Sequence, residues 1–169
     1  MKTLIMILSV LTSTASMAQG GKAQTEKKAF NRKTEVAINI KASKEIIWSL
    51  LTNASDYPRW NSTIISLEGE IQKGKKIRLK SVLDEKRTFK LKVKEMIENQ
   101  RMVWGDGKGN RVYELASNED GSTKFFMSEK IGGLMFPMYA KYIPPFDDVF
   151  EQFARDLKQE AEKIANTTD

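Results

Sequence analysis

The chain has 169 residues, a length that predicts one domain with a core large enough to fold without metal or disulfide support. It holds 28 Lys and Arg against 22 Asp and Glu but no Cys and no His, which excludes disulfides, Cys–His nucleophiles and Ser–His–Asp triads. The lack of His also removes the commonest general base and metal ligand, so we expect neither a metal nor a cofactor.

The first 18 residues have the pattern of a secretory signal peptide. Lys2 precedes an apolar run from Leu4 to Leu11, and Ser16–Ala18 supplies the small residues that signal peptidases require. The run is far shorter than the roughly 20 residues that cross a bilayer. We therefore predict cleavage near Ala18 and a periplasmic or secreted, soluble protein. Cleavage removes Lys2 and no acidic residue, so the formal net charge falls from +6 to +5.

The next segments predict a leader, a strand and a helix. Residues 19–32 are rich in Lys, Gln and Thr and predict a flexible leader before a folded domain at residues 33–165. Ser43 is a suitable cap for a helix whose apolar residues recur at helical spacing. Before that helix, apolar residues alternate as in a half-buried strand, at Val36, Ile38 and Ile40.

The stretch from Ser55 to Asn61, SDYPRWN, is too aromatic for an ordinary connection. Pro58 suits the first turn of a second, very short helix. Tyr57 and Trp60 are larger than a turn needs, so their rings must cover something. The segment Leu134–Tyr139 is likewise too apolar for an ordinary exposed loop.

Five turn signals follow and predict six consecutive antiparallel strands. The turns are Gln72–Gly74, Asp84–Lys86, Glu98–Gln100, Gly105–Gly109 and Asn118–Gly121. Apolar and charged residues alternate within the strands, so one face of the sheet is apolar and the other is wet. The wet face carries a basic stripe that either docks on anionic membranes or is an ordinary solvated face. The basic stripe comprises Arg78, Lys80, Lys90, Lys92 and Lys94.

A long helix is predicted at the C-terminus. Pro144 and Pro145 mark its start, and Asp147 and Asp148 in the first turn favour the helix dipole. The apolar stripe predicts that the helix lies against the apolar face of the sheet. Its members are Phe146, Phe150, Phe153, Leu157, Ala161 and Ile164.

Three segments resemble the START-like (SRPBCC) superfamily, the polyketide cyclase/dehydrase and lipid transport group. They are ASKEIIWSLLTNASDYPRWN, GEIQKGKKIRLK and DGSTKFFMSEKIGGLM, and the resemblance covers nearly all of residues 31–165. It implies an α+β helix-grip fold: a curved seven-stranded antiparallel sheet around a long C-terminal helix, with two short helices after the first strand. The superfamily includes lipid carriers, hormone receptors, aromatase/cyclases and members without a known ligand, so the resemblance is specific for fold and weak for activity.

The resemblance also implies a cavity between the sheet and the gripping helix. Because the superfamily's architecture brings the two short helices near the loop before the last helix, we predict that Trp60 packs against Leu134–Tyr139 and closes one end of this cavity. Any one of the predicted lining residues is more often a core residue, but the set favours an apolar pocket for a flat or chain-like hydrophobic molecule. The predicted ligand-binding residues are Trp60, Met102, Trp104, Tyr113, Phe125, Met127, Glu129, Phe136, Tyr139 and Phe153.

Glu129 is the most informative of these residues, because an inward carboxylate is costly to bury unless a cation meets it. Arg59, Arg111 and Lys141 are the candidate cations. The alternative is a Glu near the end of its strand that reaches solvent or bridges to a neighbouring residue.

Three functions remain open. The first is an exported protein that holds a hydrophobic, lipid-like or polycyclic small molecule, without nucleic acid as a partner. The second is a cyclase/dehydratase-type enzyme that uses Glu129 with Tyr113 or Tyr139 for acid–base chemistry. The third is a domain that docks on a membrane or a partner without a ligand. We favour the first function, because the lack of His weakens the enzymatic alternative.

Overall fold

The computed structural model describes residues 20–168, so the predicted signal peptide lies outside the described part of the chain. Eight antiparallel strands form one sheet in the order β1-β2-β8-β7-β6-β5-β4-β3. The strands are β1 (Ala23–Lys28), β2 (Asn31–Ile40), β3 (Ile64–Glu68), β4 (Lys76–Ser81), β5 (Phe89–Ile97), β6 (Arg101–Gly105), β7 (Gly109–Ser117) and β8 (Thr123–Gly132). The six consecutive strands predicted from the turn signals are confirmed as β3 to β8.

Two helices lie between β2 and β3, and two follow β8. They are α1 (Lys44–Thr52), α2 (Tyr57–Trp60), α3 (Phe136–Tyr139) and α4 (Asp147–Thr168), with 3-10 turns at Ala54–Asp56 and Ala140–Tyr142. Ser43 caps α1 as predicted, because its hydroxyl accepts a hydrogen bond from the Ile46 N–H at 3.4 Å. Within residues 20–168, no helix is both long and apolar enough to cross a membrane.

The sheet has one strand more than the seven that were predicted. The additional strand is β1, which forms within the segment 19–32 that the sequence marked as a flexible leader. Its polar sequence, AQTEKK, gives no alternating apolar pattern, so the strand was not predicted. It is stabilised by pairing with β2 over its whole length, from Ala23↔Val36 to Lys28↔Asn31. Contacts with α4 also hold it: the Ala23 N–H donates to Glu151 at 3.1 Å.

The predicted apolar stripe of α4 forms the centre of the core. Phe150, Phe153 and Leu157 are almost completely buried within the cluster of apolar side chains that joins the sheet to the helices. The Phe153 ring lies 5.7 Å from the Trp60 ring and 5.9 Å from the Tyr113 ring. The helix therefore grips one face of the sheet, as the resemblance implies.

Candidate functional site

A cavity of about 250 Å³ lies between the sheet and the segment that joins β8 to α4. Strands β4 and β5, the β6–β7 turn and the end of β8 form one side, and residues 139–146 form the other. Most of the wall is apolar, with Leu79, Phe89, Leu91, Trp104, Ile131 and Phe146 among the lining residues.

The β6–β7 turn shapes one rim of the cavity. A Cβ atom on Gly105 would lie only 2.1 Å from the Gly109 carbonyl oxygen, so β6 and β7 approach closely there because Gly105 has no side chain. Asp106 Oδ1 accepts hydrogen bonds from the N–H groups of Lys108 at 2.7 Å and Gly109 at 3.0 Å. The carboxylate therefore closes a hairpin tip, as predicted for residues 105–109.

Gly133 begins the connection from β8 to the opposite wall of the cavity, which residues 139–146 form. Its φ of +127° lies in a region that residues with a side chain rarely adopt, and it turns the backbone from β8 toward α3. Tyr139 follows at the end of α3, lines the cavity and donates its hydroxyl to the Gly132 carbonyl at 3.2 Å. This bond ties the wall segment back to the last strand.

An Arg111–Glu129 ion pair is the main polar feature of the cavity wall. The two residues are directly opposite each other on β7 and β8. Arg111 Nε donates to Glu129 Oε2 at 2.6 Å, and Arg111 Nη2 lies 2.5 Å from the same oxygen. The side chains are 9% and 18% exposed, so the pair is largely removed from water. Among the three candidate cations, the structure thus selects Arg111.

The surroundings favour a charged Arg111. Burial acts to lower the pKa of Arg111, but the opposite charge of Glu129 and their hydrogen bond outweigh it, so the pKa is raised above its ordinary value. The guanidinium also lies 5.1 Å from the centre of the Phe150 ring, within range of a cation–π contact. The cavity wall therefore contains a fixed ion pair rather than a free carboxylate.

Two further buried polar groups lie beside this pair. Trp104 Nε1 has no hydrogen-bond partner within the described residues, whereas the Tyr113 hydroxyl interacts with the Arg111 guanidinium, although outside the geometry of a regular hydrogen bond. Their rings meet edge to face at 5.0 Å. Burial raises the pKa of Tyr113 above its ordinary value, although Arg111 opposes the shift, so the phenol keeps its proton. Trp104 lines the cavity, and its N–H is an unused donor.

Three of the ten predicted ligand-binding residues line the cavity: Trp104, Glu129 and Tyr139. The other seven do not. Six of them belong to the core cluster, namely Trp60, Met102, Tyr113, Phe125, Met127 and Phe153. The seventh, Phe136, is buried and packs on the Tyr139 ring at 5.6 Å.

Trp60 does not lie where the sequence predicted. Its ring packs 4.8 Å from Tyr57 and 5.7 Å from Phe153, and it is 6% exposed. The reason is topological: α2 packs against β3, at one edge of the sheet, whereas Phe136 shares a cleft with Lys27 of β1, at the other edge. The aromatic SDYPRWN stretch is therefore part of the core.

Sequence reasoning missed most of the apolar wall. Leu79, Phe89 and Leu91 fall on the apolar face by alternation, but nothing in their pattern separates a cavity wall from an ordinary core. Their role in the wall is set by the segment that covers them, residues 139–146, and is not encoded in their own sequence pattern. Within residues 20–168, no group of three or more Asp and Glu side chains is placed to hold a metal ion.

Comparison with known proteins identifies the fold. No protein-family model and no curated protein matches the chain. Among solved structures, a conserved protein of unknown function from Enterococcus faecalis is 16% identical with a TM-score of 0.62, over 85% of this chain and 78% of that one.

Two further structures belong to named groups of proteins. A START superfamily protein from Mycobacterium smegmatis is 19% identical with a TM-score of 0.58, over 78% of this chain and 98% of that one. The di-domain ARO/CYC protein StfQ from the steffimycin biosynthetic pathway is 12% identical with a TM-score of 0.57, over 78% of this chain and 45% of that one. At these identities the likeness is one of fold, and the fold is START-like.

Proposed function

We propose that this START-like domain is an exported carrier or receptor that holds a small hydrophobic molecule without converting it. The observation that carries the proposal is the cavity, whose apolar walls surround one largely buried ion pair, Arg111–Glu129. Apolar pockets with a few fixed polar groups are the usual sites for small ligands, because the walls supply affinity and the polar groups fix orientation.

The size of the cavity restricts the ligand. Its volume of about 250 Å³ lies just below the range of about 300 to 1,000 Å³ that is typical of small-molecule sites. A single short acyl chain or a small ring system fits this volume better than a complete phospholipid does.

The polar wall suggests that the ligand is amphipathic. Trp104 Nε1 is an unused donor, and the positively charged Arg111 lies in the same wall, where it meets Glu129 through two of its nitrogens. An acceptor oxygen on the ligand, such as a carboxylate, carbonyl or hydroxyl, would satisfy these groups. The buried donor without a partner is otherwise a cost to the fold.

The same geometry argues against the cyclase/dehydratase alternative. Tyr113 holds its proton tightly because burial raises its pKa, and Glu129 is already engaged by Arg111. Tyr139 donates its hydroxyl to a backbone carbonyl. An acid–base pair needs at least one group that is free to exchange a proton with the substrate.

Calorimetric titration with decanoate tests the proposed binding. We expect delipidated wild-type protein to bind decanoate and Leu91→Trp to lose binding, because the larger ring fills the cavity that Leu91 lines. Ile97→Trp is the matched control: it lies on the same strand, is exposed and does not line the cavity. Equal binding by the two tryptophan variants would refute the cavity as the site.

Export is a separate part of the proposal and has its own test. It is supported by the signal-like pattern of the first 18 residues. N-terminal sequencing of the protein isolated from its native cells should begin near Gln19. An intact Met1 on protein from the cytoplasm would refute export and leave the cavity proposal unaffected.

A further inference from the structure

The described surface concentrates its apolar exposure in one place. Eight large apolar side chains are exposed within residues 20–168, and five of them lie on the β8–α4 connection and the adjacent β1–β2 turn. We call these five the apolar tip: Phe30, Leu134, Met135, Met138 and Tyr142. Leu134 is 88% exposed. A single exposed apolar side chain is ordinary, but several gathered in one place mark an interaction site.

The apolar tip is a built feature of the fold. The Gly133 N–H donates to the Phe30 carbonyl at 3.0 Å, which holds the β1–β2 turn against the β8–α4 connection. Within α3, Phe136 is buried while Met138 is exposed, so the short helix presents opposite faces to the protein and to solvent. The exposed side chains therefore project from an anchored base.

Cations flank the apolar tip on both sides. Lys27, Lys28 and Lys141 line a cleft beside it, and on the cavity side Lys108 Nζ lies 5.2 Å from the Tyr139 ring. Lys141 Nζ lies 5.0 Å from the Tyr142 ring.

Nearby acidic groups offset only part of this charge. Glu26 pairs with Lys28 at 3.1 Å, Asp147 accepts a hydrogen bond from Thr25 at 2.9 Å, and Asp106 closes its own turn. Asp84 lines the cavity on the same side as Lys108. Lys27, Lys108 and Lys141 form no ion pair among the described residues.

The basic stripe on the sheet is a weaker docking candidate. The structure does bring it together, since Arg78 lies opposite Lys90 on β4 and β5. Arg78 is paired with Glu68 at 2.5 Å, and Lys94 Nζ donates to the Asp106 carbonyl at 2.8 Å. The stripe also has no cluster of exposed apolar side chains that could insert into a bilayer, so it could bind the membrane surface only through its charge.

We propose that the apolar tip docks on an anionic phospholipid bilayer. Apolar side chains that enter the interface, surrounded by cations that meet the headgroups, are the combination that holds peripheral proteins on such membranes. Tyr142, a member of the tip, also lines the cavity, as do the neighbouring Tyr139 and Ile143. Docking by this surface places the cavity wall next to the lipid, where a hydrophobic ligand enters or leaves.

Vesicle flotation tests the docking surface directly. The protein is purified without delipidation. It is then mixed with vesicles of equimolar phosphatidylcholine and phosphatidylglycerol, or with vesicles of phosphatidylcholine alone. We expect binding to the anionic vesicles that weakens with salt, and a loss of about tenfold or more in the Leu134→Ser/Met138→Ser variant, because apolar insertion supplies much of the affinity. Val82→Ser/Ile97→Ser is the matched control, since it removes two exposed apolar side chains away from the tip.

A Leu134→Trp variant gives a local readout. Its added fluorescence should be quenched by brominated lipid in the anionic vesicles, whereas the wild-type tryptophans, all buried, should not respond. Several outcomes would overturn the proposal: no binding to anionic vesicles, equal loss in the control variant, loss confined to a Lys90/Lys92/Lys94→Gln variant, or a solution dimer that only Leu134→Ser/Met138→Ser dissociates. None of these outcomes bears on decanoate binding, so the docking and cavity proposals fail separately.

Discussion

Arg111 and Glu129 face each other across strands β7 and β8, and Arg111 Nε donates to the Glu129 carboxylate at 2.6 Å in the wall of the cavity. The cross-strand register fixes the distance between the two backbones, so the charges can separate only if a side chain changes its rotamer. Loss of one partner leaves the other charged and largely buried.

This arrangement predicts a strong loss of stability when one partner is removed. Arg111→Met should lower the free energy of unfolding by about 3 kcal/mol, because Glu129 is left without its cation. Arg111→Met/Glu129→Leu should recover most of that loss.

Denaturant unfolding measures both variants of this pair. The control is Arg101→Met, which breaks a cross-strand pair with Glu114 that is far more exposed, and it should cost less than about 1 kcal/mol. Equal costs for Arg101→Met and Arg111→Met would contradict the burial argument.

Trp60 should behave as a core residue. Trp60→Ala removes a ring that packs on Tyr57 and Phe153, so we expect a loss of about 3 to 5 kcal/mol in unfolding free energy. Tyr142→Ala, at an exposed position, should change the same quantity by less than about 0.5 kcal/mol. A tolerated Trp60→Ala would restore Trp60 to the rim of a cavity.

The β6–β7 turn provides a matched pair of glycine substitutions. Gly105→Ala should lower stability by about 3 kcal/mol, because the new methyl group would overlap the Gly109 carbonyl. Gly107→Ala, two residues away, meets nothing within 4 Å and should be tolerated. Thermal unfolding compares the two variants, and equal melting temperatures would show that the strands do not approach as closely as described.

Glu151 predicts a pH dependence at the junction of β1 and α4. The hydrogen bond from the Ala23 N–H, supported by Lys22, lowers the pKa of Glu151 below its ordinary value of 4.5. A lowered pKa in the folded state gives stability that is complete above the ordinary pKa and is lost as the pH falls through the folded pKa.

Glu151→Gln should therefore cost about 1 kcal/mol near neutral pH, and the difference from wild type should shrink in acid. Urea unfolding of Glu151→Gln and wild type, at neutral pH and at an acidic pH below the ordinary pKa of Glu151, measures this difference. Glu26→Gln, whose carboxylate is exposed and pairs only with the exposed Lys28, is the control and should have little effect. A constant difference between Glu151→Gln and wild type at all pH values would contradict the assigned hydrogen bond.

Much of the fold was predictable because local patterns agree with tertiary packing. The turns between β3 and β8 carry Gly, Asn and Asp residues, and the stripe of α4 recurs at helical spacing, so both were visible in the sequence. Strand β1 was not visible, because its residues are mostly polar. It is held by pairing with β2 and by a hydrogen bond to Glu151, which lies more than 100 residues further along the chain.

The candidate site was less predictable for a related reason. An inward Glu129 and the need for a cation follow from alternation, but the choice of Arg111 depends on the cross-strand register. The cavity wall and the core are built from the same apolar residue types. Leu91 lines the cavity and Met127 lies in the core because different segments pack over them. That difference is set by the path of residues 133–146, which no local pattern encodes.

The central claim is that the cavity between the sheet and residues 139–146 holds a hydrophobic ligand. Native mass spectrometry of the protein isolated from its own cells tests this claim most directly. The account predicts a discrete added mass that dissociates as a small hydrophobic molecule, present on wild type and Ile97→Trp and absent from Leu91→Trp. A bare mass for wild type, or an adduct that Leu91→Trp retains, would contradict it.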